Sequence, residues 1–315
     1  MDAIGGYFAL ELRDGELYHR EAFALNSARH CLEYLLRSRN CKKIFVPYYT
    51  CEVVVEAIVN AQTEYEMYAL TAALEPASLP ELQQDELFLY TNYYGIKDTT
   101  VADLCRIYGS QLIVDNAQAF YADPIDGIDT FYSPRKFFGV PDGGYLSSSH
   151  VNVLPDTIDK SSMRMSHLLK RIEDGAHAGY PDFQRNDDSL RHLGICRMSF
   201  LTEKLLRNVD YENVRQRRWS NFEYLHHRLA PLNRLNIDLA SISVPMVYPF
   251  WTSNGNLRTK LIKNKVFVAK YWPGVADIPH CPELEKDLVE NLIPLPIDQR
   301  YSQIDMERIV DLITK

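Results

Sequence analysis

From residue 22 to residue 150, short aliphatic runs alternate with segments of helical period, and this alternation limits the fold more than any other feature of the chain. Lys43-Ile44-Phe45-Val46 reads as a strand stopped by Pro47. Thr50 is placed to cap a helix carrying Val53, Val54, Ala57, Ile58 and Ala61 on one face. Tyr65 to Leu70 and Glu86 to Thr91 read as strands, and Asp98 to Tyr108 as a helix with Gly109 just past its end. Leu112 to Val114 and Gly143 to Ser148 are further strands. Upstream, Asn26-Ser27 offers caps for a helix with Cys31, Leu32, Leu35 and Leu36 at 3.6-residue spacing. Repeated βα units predict an α/β fold, a mostly parallel sheet covered by helices on both faces. Ligands of such sheets sit at the carboxyl ends of strands, where Pro47-Tyr48-Tyr49-Thr50, Asn92 and Asp115 all fall.

Residues 160 to 230 read as helical, with apolar stripes at Leu201, Leu205 and Leu206, then at Tyr224, Leu225 and Leu229. Beyond Val244 the character changes. Pro245 to Phe250, Lys265 to Ala269 and a closing helix from Ile304 to Ile313 predict a small α+β unit. A chain of 315 residues has room for two domains. The expected division is a large domain over 1–230, with residues 1 to about 20 free to pack elsewhere, and a small C-terminal domain over 231–315.

The net charge of −8, without a long basic run, argues against a nucleic-acid surface. No apolar run approaches the roughly 20 residues of a membrane helix. Met1 to Gly6 has neither the basic nor the apolar region of a secretory signal, so a cytoplasmic protein is expected. Cys31, Cys41, Cys51, Cys105, Cys196 and Cys281 form no CxxC pair and no zinc spacing, which predicts reduced thiols and no metal. There is no GxGxxG and no P-loop, so nicotinamide and P-loop readings have no motif.

The residues that can carry chemistry stand in two stretches, Val114-Asp115-Asn116-Ala117-Gln118-Ala119-Phe120 and Ser133-Pro134-Arg135-Lys136-Phe137-Phe138-Gly139-Val140-Pro141-Asp142-Gly143-Gly144. Between Asp115 and Lys136 there is room for one more strand. A carboxylate at a strand end and a lysine on a nearby loop are what pyridoxal phosphate (PLP) chemistry needs. The lysine amine forms a Schiff base with the aldehyde, and the carboxylate pairs with the protonated pyridine nitrogen. Singly, each residue has an ordinary reading: Lys136 a surface lysine with a packed stem, Asp115 a turn-starting residue, Gln118 an exposed residue at a helix start. In the PLP reading, Phe137 and Phe138 partly desolvate the Lys136 amine. Gln118 donates to the cofactor's phenolic oxygen. Ser133 and the helix start at Ser27, Ala28 and Arg29 cradle its phosphate. Arg29 either adds charge to that cup or lies on a solvated helix surface.

Together these residues resemble the DegT/DnrJ/EryC1/StrS aminotransferase family, fold type I PLP enzymes that mostly aminate nucleotide-linked keto sugars. The matching elements occur in family order. They are Ser27-Ala28-Arg29, the Pro-x-x-Thr loop at 47–50, Tyr94-Gly95, Asp-x-Ala-Gln at 115–118, and the Ser133, Lys136, Gly143-Gly144 block. Met198-Ser199, Arg217 to Asn221 and Pro294-Leu295-Pro296-Ile297 look like later landmarks, so the resemblance spans nearly the whole chain. Two departures stand out. Ala28-Arg29 replaces part of the usual phosphate turn, and Cys51 stands where many members stack an aromatic residue on the ring; Tyr49 or Tyr94 are the alternatives for that role. The resemblance implies an internal aldimine on Lys136, ping-pong transamination from an amino acid donor to a keto sugar, and a homodimer with sites at the interface. Asn186 or Arg185 would reach the neighbouring site. Related sugar dehydratases carry histidine at the lysine position, so Lys136 favours transamination. The alternatives are a non-catalytic protein of the same fold that keeps PLP as a structural ligand, and an α/β enzyme without PLP in which Asp115 and Lys136 form an ion pair.

Overall fold

The computed structural model describes residues 4–239 and 242–315; Met1 to Ala3 of the leading stretch lie outside them. Seven strands form the main sheet: β1 (Phe23–Leu25), β2 (Lys43–Pro47), β3 (Glu64–Tyr68), β4 (Glu86–Thr91), β5 (Leu112–Asn116), β6 (Asp129–Tyr132) and β7 (Gly144–Ser147). Their order is β1-β7-β6-β5-β4-β2-β3. The pairs from β3 through β6 are parallel, while β7 is antiparallel to β6 and to β1. The helices α1 (Ala28–Arg39), α2 (Glu52–Asn60) and α3 (Asp98–Tyr108) connect them. This is the α/β fold that the alternation predicts, and β6 fills the room between Asp115 and Lys136.

β2, β4 and β5 are buried on both faces, so they read as nearly continuous apolar runs, while the edge strand β3 is exposed over Glu64 to Glu66. Ile44, Val46, Leu87, Leu89, Ile113 and Phe131 pack with Leu32 and Leu35 of α1 and Val54 and Ile58 of α2. The alternate residues Phe45, Phe88, Tyr90, Leu112, Val114 and Tyr132 pack in a second core with Val101 and Leu104 of α3. One cap differs from expectation. α2 starts at Glu52 with Cys51 as its N-cap and no side-chain capping bond. Thr50 instead turns back, its N–H donating to the Tyr48 carbonyl at 2.9 Å.

The second half supplies α4 (Ser166–Glu173), α5 (Ala176–His192), α6 (Phe200–Arg207) and α7 (Tyr211–Leu229), as the helical stripes predict. The C-terminal part holds a two-stranded sheet of β8 (Val247–Trp251) and β9 (Leu292–Pro296) with α8 (Leu257–Lys263), α9 (Glu283–Asn291) and α10 (Gln303–Thr314). Residues 265–269, expected as a strand, have no regular structure. Lys265 takes a left-handed φ of 61° and the Val266 N–H bonds the Leu261 carbonyl at 2.9 Å, so the chain wraps the end of α8 and cannot extend.

Two buried histidines make the fold acid-sensitive. Burial pushes His19 and His30 down to about 4 from 6.5. The folded values lie below the unfolded ones, so the neutral rings contribute stability that is present above pH 6.5 and lost as pH falls toward 4. At 1.36 kcal/mol per unit, each loss is about 3 kcal/mol. Urea midpoints measured from pH 7 to pH 4 are expected to fall steeply, and His19→Phe to flatten the fall. A wild-type midpoint unchanged down to pH 4 would contradict this.

Candidate active site

The carboxyl edge of the sheet gathers the residues singled out in the sequence. Asp115 lies on the same strand face as Ile113, toward α1 and α2, in register with Thr91 of β4 and Phe131 of β6. It is 6% exposed. Its Oδ1 accepts the Ala117 N–H at 2.8 Å, and the Thr91 hydroxyl stands 3.5 Å from Oδ2. Burial raises its pKa, while the Lys136 charge and the Ala117 N–H pull the other way. Asp115 is therefore a desolvated carboxylate with a cation in range, and its bond to the Ala117 N–H also starts the turn that follows β5.

Lys136 closes a 3₁₀ turn over Pro134–Lys136. Its N–H donates to the Ser133 carbonyl at 3.3 Å, and the Phe137 and Phe138 N–H groups donate to the Pro134 carbonyl at 3.0 and 2.9 Å. Its side chain is exposed. The expected desolvation by Phe137 and Phe138 does not occur. Both rings turn into the core against Phe120, where they anchor the turn from beneath. Ser133 is buried at the end of β6.

The start of α1 is held against the glycine pair. Ser27 caps the helix, its Oγ accepting the His30 N–H at 3.2 Å. His30 Nε2 stands 3.0 Å from the Leu193 carbonyl, and with that nitrogen donating, Nδ1 accepts from the Ser27 hydroxyl at 2.9 Å. The Gly143 N–H donates to the Asn26 carbonyl at 2.8 Å. A Cβ on Gly144 would stand 2.4 Å from the Ser27 carbonyl carbon and 2.6 Å from the Ala28 nitrogen. Only glycine lets β7 approach the helix start this closely. Arg29 is not a solvated surface residue. Its side chain is 10% exposed and sits 3.7 Å from Glu56 of α2. Its Nη1 is buried without a hydrogen bond, and Asp187 and Arg135 lie within electrostatic range.

Gln118 is 1% exposed, which removes its reading as an exposed helix-start residue. Its Oε1 accepts the Tyr94 N–H at 2.8 Å. Tyr49 and Tyr94 are buried, with hydroxyls 3.0 Å apart. Their rings are engaged with Trp272 and Tyr271 of the C-terminal part. Cys51 feels both charges of the site: burial raises its pKa, Lys136 lowers it and Asp115 raises it. Among the three stacking candidates it is the one within electrostatic range of both the lysine and the carboxylate. Asn186 is buried, with its Nδ2 donating to the Pro141 carbonyl at 2.7 Å. Arg185 is exposed and pairs with Asp182.

Sequence reasoning passed over Thr91, His30 and the Arg135–Asp187 pair at 3.1 Å. Thr91 was the legible one, because it ends a strand next to Asn92, as Asp115 nearly ends its own. A cleft of about 610 Å³ between the α4–α5 hairpin and the C-terminal part is lined by Arg171, Tyr180, Lys265, Phe267 and Arg308 and includes neither Asp115 nor Lys136.

No family model matches the sequence, and no curated protein matches it. Solved structures do. A DegT DnrJ EryC1 StrS aminotransferase from Brucella abortus is 13% identical, with 94% of this chain and 85% of that one covered and a TM-score of 0.61. DesV from S. venezuelae, in complex with a ketimine intermediate, is 16% identical over 93% and 83%, with a TM-score of 0.62. The PLP form of Spr1654 from Streptococcus pneumoniae is 14% identical over 92% and 85%, also at 0.62. At these identities the likeness is one of fold. The fold is that of the aminotransferases which the motifs resemble.

Proposed function

We propose that this chain is a PLP-dependent aminotransferase of the cytoplasm. It would move an amino group from an amino acid to a carbonyl acceptor, a keto sugar carried on a nucleotide, with a large domain over 1–230 and a small one over 231–315. The observation that carries the reading is the convergence of Asp115, Lys136 and the start of α1 at one edge of the sheet. The donor set suits the cofactor. A buried carboxylate is available for a ring nitrogen, an accessible amine for an aldehyde, and a glycine-lined helix start with Ser133 for a phosphate. The buried Arg29 Nη1 at that helix start makes no hydrogen bond and has Glu56 at 3.7 Å as its ion-pair partner.

Bound there, PLP supplies the electron sink and the carbon that carries the amino group. Asp115 would hold the proton on the ring nitrogen through a charge-assisted bond. Gln118 would hold the ring on its phenolic side, and Cys51 would stand at the stacking position. The Lys136 Nζ would move a proton from the donor's Cα to the cofactor carbon that carries the amino group, and in the second half from that carbon to the acceptor carbon.

The same reading makes the chain a homodimer. Lys136 is open to solvent in the single chain, and the α4–α5 hairpin exposes Leu169 (52%), Ile172 (82%), Tyr180 (57%) and Phe183 (45%). Sedimentation is expected to give a dimer burying on the order of 2,000 Å². A monomer at micromolar concentration with PLP bound would refute it. The function itself is read from the visible absorption of protein reconstituted with PLP. A band that is lost on adding glutamate supports the transaminase. A band that persists marks a protein that keeps PLP without turnover, the alternative that Cys51 at the stacking position favours. A protein that takes up no PLP contradicts both.

A further inference from the structure

An arginine lies in the core of the chain with no carboxylate within ion-pair distance among the described residues. Arg218 of α7 is 1% exposed. Its guanidinium donates from Nη1 to the Met246 carbonyl at 2.9 Å, from Nε to Gln299 Oε1 at 3.1 Å and from Nη2 to the Phe137 carbonyl at 3.3 Å. It also lies over the Phe137 ring, 4.5 Å from its centroid. Gln299 Nε2 donates to the same Phe137 carbonyl at 2.9 Å. Burial lowers the Arg218 pKa to about 10, and the Asp298 charge opposes the shift.

A buried cation is expensive unless its donors are used, and here the planar fork spends them on three segments far apart in sequence. One is the residue next to Lys136, one precedes β8, and one follows β9. We infer that Arg218 and Gln299 are positioning residues that clamp the Phe137 carbonyl and thereby fix the Lys136 turn to the C-terminal part. The Lys136 turn has its own bonds to Ser133 and Pro134 on one side. The clamp holds the other side. Displacement of the C-terminal part then moves the lysine, and the placement of the amine depends on how that part is docked. The functional consequence rests on the aminotransferase reading; the clamp itself does not.

The test uses the full chain. Arg218→Met would leave the Met246 carbonyl and the Gln299 Oε1 without this donor, so Gln299→Leu and Arg218→Lys carry the experiment. Hydrogen exchange of the peptide spanning residues 133–144 is compared with peptides from β4 and α3, at matched urea midpoints. The expected result is exchange about tenfold faster at residues 136–138 with β4 and α3 unchanged. With PLP and an amino donor, kcat is expected to fall about 10²-fold while the donor KM stays within about twofold, since a small misplacement of the reacting group costs rate more than binding. Unchanged exchange at 136–138 in both folded variants would overturn the clamp, as would an increase shared by every peptide. A wild type that binds no PLP would overturn the aminotransferase reading and leave the exchange result standing on its own.

Discussion

Lys136→Ala is expected to abolish transamination, with turnover down by about 10⁴-fold or more, while the folded chain remains as stable as wild type. Two contributions disappear at once, the covalent attachment of the cofactor and the base that moves the proton at the substrate Cα. The side chain is exposed and makes no hydrogen bond through its amine among the described residues, so its removal leaves no cavity and no unpaired partner in the core. The turn survives because its bonds are backbone bonds, from Lys136, Phe137 and Phe138 to Ser133 and Pro134. Matched urea midpoints together with turnover in the presence of PLP and glutamate check both halves. Residual turnover within tenfold of wild type would place the active amine elsewhere.

Asp115→Asn is expected to slow turnover by about 10²–10³-fold, the usual cost of removing one preorganised electrostatic group from a reacting centre. The substitution is close to neutral for the fold. Asparagine keeps an oxygen for the Ala117 N–H, at the 2.8 Å seen for Asp115 Oδ1. It also removes a charge that burial disfavours. The loss of rate therefore reports on the charge and not on the packing. Turnover equal to wild type, with the thermal midpoint unchanged, would reduce Asp115 to a strand-end residue.

The fold was legible because both faces of the main sheet are covered, which makes β2, β4 and β5 apolar runs with sharp ends. The same logic placed Asp115 at the carboxyl edge. β1 was not legible, since three residues such as Phe23-Ala24-Leu25 carry no period. The misread segment at 265–269 has the β-branched composition of a strand, but the helix cap at Lys265 decides its path. The role of Phe137 and Phe138 depended on which way the rings point. A sequence cannot show that where aromatic residues adjoin both a core and a solvent-facing lysine. Arg218 left a trace that could have been followed. Val214, Arg218, Asn221, Phe222, Leu225 and Leu229 form one helical stripe, and all are buried. A charged residue on such a stripe calls for buried acceptors, and only the fold could supply their identity: Phe137, Met246 and Gln299.

The central claim is that the Lys136 amine is the group that engages PLP. The most direct measurement is borohydride reduction of the PLP-reconstituted protein, followed by peptide mapping. The expected result is a pyridoxyl adduct on Lys136 in the peptide that contains Ser133 to Gly144. An adduct confined to another lysine, or none on a protein that has bound PLP, would contradict it.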